Sequence, residues 1–224
     1  MSGERAQPSR SIVTGDAFAW LDATPAPEHA SVITSLPDIS EMRDSAMRLD
    51  LERWRAWFVD TVRRVVRWVP AGGVSMFFQS DVRIAGALVD KGYLVMKGAE
   101  AEGASVLWHK IICRRAPGTI ALGRPGYSHL IGVTTGALPP ARKPGPEVLT
   151  DAGFMPWSRA MGVDACRLAC RYLIENTETR VVVDPFCGKG TVLAVANAMG
   201  LDAIGVELSP KRCRAARTMK IELT

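Results

Sequence analysis

The sequence predicts an α/β protein with a seven-stranded, mostly parallel sheet, one antiparallel strand and helices on both faces. Three observations carry that expectation. Short β-branched runs alternate with helical periodicity along most of the chain, the pattern of a sheet layered by helices. The stretch Val181-Val182-Val183-Asp184-Pro185-Phe186-Cys187-Gly188-Lys189-Gly190-Thr191 is a buried strand feeding a small-residue turn and a helix. It leaves free backbone N–H groups at the carboxyl end of a strand, where ligands bind in open α/β sheets. Finally, the strand-like runs Val106–Cys113 and Tyr127–Val133 have no clear helix between them, so one strand returns antiparallel near an edge.

Met1 to Arg10 is polar and expected to be disordered. Ser11–Thr14 reads as the first strand, ending in Gly15-Asp16, with a helical piece from Ala17 to Leu21 and a loop marked by Pro25 and Pro27. Ala30–Thr34 is the second strand, stopped by Ser35-Leu36-Pro37-Asp38, a proline turn with polar residues at a strand's carboxyl end. From Leu51 to Val69 the residues Leu51, Trp54, Phe58, Val62, Val65 and Val69 recur at three- and four-residue steps, giving an amphipathic helix. Its arginines, Arg53, Arg63, Arg64 and Arg67, lie mainly on the opposite face, either solvated or tracking phosphates. Pro70 and Gly72-Gly73 turn the chain into a strand, Val74–Phe78. Ser80-Asp81 can cap a helix running through Lys91 and closed by Gly92. After Val106–Cys113 comes a loop rich in Arg, Pro and Gly, then Tyr127–Val133. Residues 136–153 hold Pro139, Pro140, Pro144 and Pro146 and read as a connection rather than an element. Asp164–Glu175 is helical, followed by strand Val181–Val183, helix Thr191–Met199 and strand Ala203–Val206. That last strand ends in Glu207, at the spacing of about 20 residues from which an acid accepts hydrogen bonds from ribose hydroxyls.

The 224 residues, 47% apolar and 23% charged, fit a single soluble globular domain. The net charge of +5 leans toward an anionic partner. Five cysteines, Cys113, Cys166, Cys170, Cys187 and Cys213, form no CxxC pair and are odd in number. They favour reduced thiols in a cytoplasmic protein, with neither a disulfide scaffold nor a metal site. No run approaches the roughly 18 apolar residues of a membrane helix, so no membrane partner is expected.

Taken together, these segments resemble the amino-group DNA methyltransferases of the circularly permuted order, in which the catalytic half precedes the cofactor-binding half. Asp184-Pro185-Phe186-Cys187-Gly188-Lys189-Gly190-Thr191 is similar to their Asp-Pro-Phe-x-Gly-x-Gly-Thr cofactor motif, and Gly205-Val206-Glu207-Leu208-Ser209-Pro210 to the ribose-binding strand that follows. Gly15-Asp16-Ala17 resembles the Gly-Asp that reaches the cofactor adenine. Leu107-Trp108-His109-Lys110 and Tyr127-Ser128-His129-Leu130 resemble the Trp-x-Lys and His segments of later strands, and Phe154-Met155-Pro156-Trp157-Ser158 the loop touching the methionine end. The resemblance implies a Rossmann-like methyltransferase domain over residues 11–224, with a catalytic half at 11–135 and a cofactor half at 154–224. It implies S-adenosyl-L-methionine as cofactor, bound by Asp16, Ala17, Ser35, Trp157, Ser158, Asp184, Pro185, Phe186, Cys187, Gly188, Gly190, Thr191, Glu207 and Leu208. Val181–Val183 is then expected beside Ala30–Thr34.

The chain departs from that family at its catalytic tetrad. Where members carry Asp, Asn or Ser, then Pro-Pro, then an aromatic that stacks on the flipped base, this chain has Ser35-Leu36-Pro37-Asp38. Ser35, Pro37 and Asp38 are the catalytic candidates. Asp38 either accepts a proton or hydrogen bond from the acceptor or only caps the turn, and stacking is lost at this position unless Trp157, Phe154 or Tyr127 supplies it. The chain also lacks a spare segment for sequence recognition. Its loops are basic instead, through Arg114, Arg115, Arg124, Arg142 and Lys143. Arg114, Arg115, Arg124 and Tyr127 are therefore the substrate candidates, and structured RNA is favoured over DNA. A small-molecule or protein acceptor, and a binding module that has lost catalysis, remain open alternatives. His109 and His129 read as strand-packing polar residues rather than catalysts.

Overall fold

The computed structural model describes residues 7–42, 50–137 and 143–223; Arg142 lies outside them. The chain runs β1 (Arg10–Thr14), α1 (Ala17–Ala23), β2 (Ala30–Thr34), α2 (Ile39–Met42), α3 (Leu51–Trp68), β3 (Ser75–Gln79), β4 (Val82–Ile84), β5 (Ala87–Val89) and α4 (Lys91–Ala101). It continues through β6 (Ser105–Cys113), β7 (Tyr127–Thr134), β8 (Val148–Leu149), α5 (Val163–Asn176), β9 (Val181–Asp184), α6 (Thr191–Ala198), β10 (Asp202–Glu207) and α7 (Pro210–Thr218).

The main sheet has eight strands in the order β1-β10-β9-β2-β3-β7-β6-β8. β7 runs antiparallel to both of its neighbours, and the other pairings are parallel. The expected contact between the two ends of the chain is present: β2 pairs with β9, Ala30 opposite Val181 and Val32 opposite Val183. From β9 the chain crosses through α6 to β10 on one side, while β2 crosses through α3 to β3 on the other. The carboxyl ends of β9 and β2 therefore flank a topological switch point, the usual ligand crevice of such sheets.

Alternating strand residues feed two cores, as the two-residue period of a strand requires. Ile33 and Met76 pack with Cys166, Leu173 and Leu193 of α5 and α6. Val32 and Phe77 pack with Leu21, Phe58, Val62 and Leu94 of α1, α3 and α4. Asp50 caps α3, accepting from the Arg53 N–H at 2.8 Å. Its arginine face is occupied internally: Arg63 and Arg67 bond Glu102, and Arg64 bonds Asp60 and Asp22.

Three expectations are corrected. Residues 82–89 form a hairpin, β4–β5, rather than a helix, because Ala85 and Gly86 both adopt positive φ (49° and 82°), the requirement of a two-residue hairpin turn. Asp90 caps the helix instead, accepting from the Tyr93 N–H. The proline-rich connection contributes an eighth strand, because Val148-Leu149 pairs with Ile111-Ile112 at the sheet edge. Ser9 and Arg10 are ordered, not disordered. Ser9 bonds Asp202, and the Arg10 guanidinium donates to Asn197 and to the carbonyls of Ala216 and Met219, so β1 is clamped to the end of the chain.

The contact between α3 and α4 depends on Gly98, where an added Cβ would lie 2.7 Å from Val62 Cβ and 2.9 Å from the Val59 carbonyl. Gly98→Val should cost about 1–3 kcal/mol, read as a lower urea midpoint at constant slope. An unchanged midpoint would mean that the two helices are not packed this closely.

Candidate active site

Four adjacent strands, β1, β10, β9 and β2, end around one cavity of about 410 Å3, a size typical of small-molecule sites. Each strand delivers a motif: Gly15-Asp16-Ala17 after β1, Glu207-Leu208 at β10, Asp184-Pro185-Phe186-Cys187-Gly188 at β9, and Ser35-Leu36-Pro37 after β2. Thr191 and Trp157 complete the wall.

Asp184 is buried at the floor. Its Oδ1 accepts from Thr34 Oγ1 at 2.7 Å and from the Phe186 N–H at 3.1 Å. Burial pushes its pKa up to about 7, opposed by these two hydrogen bonds and assisted by the nearby Glu207. Glu207 Oε1 accepts from the Ser209 N–H at 2.8 Å and lies 3.8 Å from Arg212 Nη1. The Gly15 N–H donates to the Glu207 carbonyl, which fixes the start of the Asp16 turn beside it. Asp16 caps α1 through one oxygen, accepting from the Ala19 N–H.

Glycine is required at two places in the β9–α6 turn. Gly188 has φ 55°, and a Cβ there would sit 2.9 Å from the Trp157 ring. Trp157 is fixed in turn by its indole N–H bond to Thr191 Oγ1. Gly190 has φ 84° and packs against Ala216 of α7, so it shapes the turn without lining the cavity. The Cys187 thiol is buried, and its pKa is raised by desolvation and by Asp184.

Phe18 and Trp57, which line the cavity beside the expected Phe186, were not identified from the sequence. Phe18, Trp57 and Phe186 form an aromatic cluster with centroids 6.1–6.5 Å apart. Trp57 lies one residue off the apolar face read for α3, and that offset was the available signal. Glu41 and Arg159, both lining the cavity, bridge its mouth at 2.7 Å; their partnership depends on long-range geometry alone.

Not every predicted residue reaches the cavity. Ser158 is exposed and not part of the wall, which its neighbours Trp157 and Arg159 line. Of the stacking candidates, Trp157 is in place, Phe154 is 73% exposed, and Tyr127 packs edge-on against His129. Asp38 lies just beyond the lining. Its carboxylate is bonded to Lys91 Nζ and, at 3.1 Å, to Arg124, while Glu41 Oε1 accepts the Asp38 N–H. The Lys91 side chain is 3% exposed, and burial lowers its pKa against the pull of Asp38. Arg114 donates to Ser80 Oγ, and Arg115 is exposed. Arg124 thus sits on Asp38 with Arg114 nearby, and none of the four substrate candidates lines the cavity.

His109 and His129 are polar residues of the sheet, bonded to each other at 2.8 Å, with His129 also bonded to the buried Asp81. Asp81, Asp90 and His129 bring one ligand atom each within 4.8 Å of one another. Those atoms are engaged internally: Asp81 also accepts the Lys91 N–H, and Asp90 caps α4.

Comparison with known proteins agrees with this geometry. The DNA methylase family of N6/N4 methyltransferases matches residues 171–218, the span holding the Asp184 turn and Glu207. A candidate DNA modification methylase of Thermus thermophilus, solved with S-adenosyl-L-methionine, superposes with TM-score 0.72 at 21% identity, over 92% of this chain and 91% of its own. The cytosine-N4-specific PvuII DNA methyltransferase superposes with TM-score 0.71 at 15% identity, over 99% and 92%. The fold is that of these DNA methyltransferases. No curated protein matches the chain.

Two predictions follow from the charges. An Asp whose folded pKa is raised to about 7 binds its proton more tightly folded than unfolded. Its favourable contribution is complete below about pH 4 and is lost as pH rises toward 7, by up to roughly 4 kcal/mol. Asp184→Asn should flatten that slope in ligand-free urea titrations, and an unaltered slope would place the shift elsewhere. Asp38→Ala, which strands a buried ammonium, should cost about 3–5 kcal/mol, whereas the double change Asp38→Leu with Lys91→Met should recover most of it. Equal losses in the single and double variants would contradict the pairing.

Proposed function

We propose that this chain is an S-adenosyl-L-methionine-dependent methyltransferase of the permuted amino-group class and that its acceptor is DNA. The observation that carries the reading is the convergence of the Asp16, Glu207, Asp184 and Ser35 motifs on one cavity. Its donor set fits the cofactor. Asp184 offers a buried anion to the cationic methionine end, and Glu207 offers carboxylate oxygens to a ribose diol. Asp16 can accept from the adenine amino group, with Leu208 and Phe18 as apolar walls. The lack of a side chain at Gly188 lets a ligand approach the backbone closely.

When bound, the cofactor supplies a methyl already activated on its sulfonium. The residues of the chain mainly align donor and acceptor, a proximity effect. Ser35 lines the cavity opposite the glycine turn, where its hydroxyl can accept from an acceptor amino group. Trp157 supplies the aromatic surface that the tetrad lacks. Pro37 is a positioning residue, its carbonyl taking the Trp54 indole N–H at 3.4 Å. Asp38, held by Lys91 and Arg124, fixes the same turn from its other end.

The RNA preference read from the missing recognition segment gives way to DNA, because the matching family and the solved folds are those of DNA methylases. Calorimetry should find that Glu207→Ala and Asp184→Asn each weaken cofactor binding about 10- to 100-fold, the worth of a charge-assisted hydrogen bond. Wild-type affinity should rise as pH passes about 7 and Asp184 ionises, with no such rise in Asp184→Asn. Labelled methyl groups should pass to DNA in preference to RNA. Unchanged affinity in both variants would reject the cofactor site, and transfer to RNA alone would reject the acceptor.

A further inference from the structure

The loop between β6 and β7, residues 114–126, carries a feature that the cofactor cavity does not use. Its neck is pinched, because the Arg114 and Arg115 N–H groups both donate to the Gly126 carbonyl, at 2.7 and 3.1 Å. The loop projects Ile120 and Leu122, which are 84% and 88% exposed. Among the described residues no other large hydrophobic side chain is as exposed. An apolar tip of this kind is not packed into the protein's own core.

The base of the same loop is cationic. Arg114, Arg115 and Arg124 cluster there with the buried Lys91, and Asp38 is the carboxylate bonded within the group, shared between Lys91 and Arg124. Arg114 has a hydroxyl partner, Ser80, and its pKa is lowered first by burial and then by Arg124 and Arg115. That repulsion is what an incoming anion would relieve. β6 and β2 run in the same direction, both opposite to β7, so the loop rises on the side of the sheet where the cavity opens. Arg124 ties it to Asp38, three residues beyond the cavity-lining Ser35.

We infer that residues 114–126 form a DNA wedge: the arginines hold backbone phosphates while Ile120 and Leu122 enter the base stack beside the target. Ile and Leu are among the side chains that unstack base steps in this way, and phosphate contacts from Arg set position without reading sequence. The inference rests on DNA as acceptor and sharpens it. The substrate is a duplex whose local stacking is opened by the protein and which is engaged through shape and charge.

The test uses the full chain with two short labelled duplexes, one fully paired and one with a single mismatch, followed by fluorescence anisotropy across a salt series. Unstacking costs less at a mismatch, so the wild type should bind the mismatched duplex more tightly, by about tenfold. Ile120→Ser with Leu122→Ser should lose that preference while keeping the salt slope. Arg115→Ala should keep the preference and reduce the slope by about one. Both sites are exposed, and calorimetric cofactor binding reports folding in each variant. The wedge is overturned if the double serine variant retains the mismatch preference, or if its only change is in self-association by sedimentation, which would make the tip a contact between copies. A wild type that binds cofactor but neither duplex at low salt would instead reject DNA as the acceptor, and the wedge with it.

Discussion

The hydrogen bond from Thr34 Oγ1 to Asp184 Oδ1, 2.7 Å long and fully buried, is the constraint on which the site depends. It joins the last residue of β2 to the last residue of β9, strands drawn from opposite ends of the chain and paired in parallel. That pairing brings the Asp184 turn and the Ser35 turn to one cavity. With it, they face each other across a switch point. The same bond steadies a carboxylate that burial would otherwise hold neutral, so the joint between the two halves is also the electrostatic centre of the cavity.

The turn after β2 is held by an ion pair to a buried lysine. The Asp38 carboxylate is tied to that lysine and to a loop arginine. A buried pair of this kind adds little net stability compared with an apolar pair, yet it is costly to break. It therefore fixes the orientation of the turn and couples it to the loop carrying Arg124. The Trp157 ring stands at the cavity wall, held there by the Thr191 hydroxyl beside Gly188.

Much of this was legible in the sequence because it is local. The strand–glycine turn–helix at Val181–Met199, the acid at Glu207 and the apolar period of α3 depend on residues close together in the chain, and each was placed correctly. The pairing of β2 with β9 followed once motif order was taken into account. What escaped was either set by single backbone dihedrals or brought together from afar. Ala85-Gly86 turns a helix-like stretch into a hairpin, although Ala is an unusual choice for that conformation. The Glu41–Arg159 bridge and the Asp38–Lys91 pair join residues with no sequence relation. Ser158 was misplaced by a single residue, since a loop has no period from which orientation can be read.

The central claim is that four strand ends form one cofactor cavity. Hydrogen exchange with and without S-adenosyl-L-methionine tests it most directly, since binding slows amide exchange wherever the chain closes on a ligand. The structure predicts added protection in all four segments together: Gly15-Asp16, Ser35-Leu36, Phe186–Gly190 and Leu208. Protection confined to the β9–α6 turn, or absent from the Ser35 segment, would contradict it.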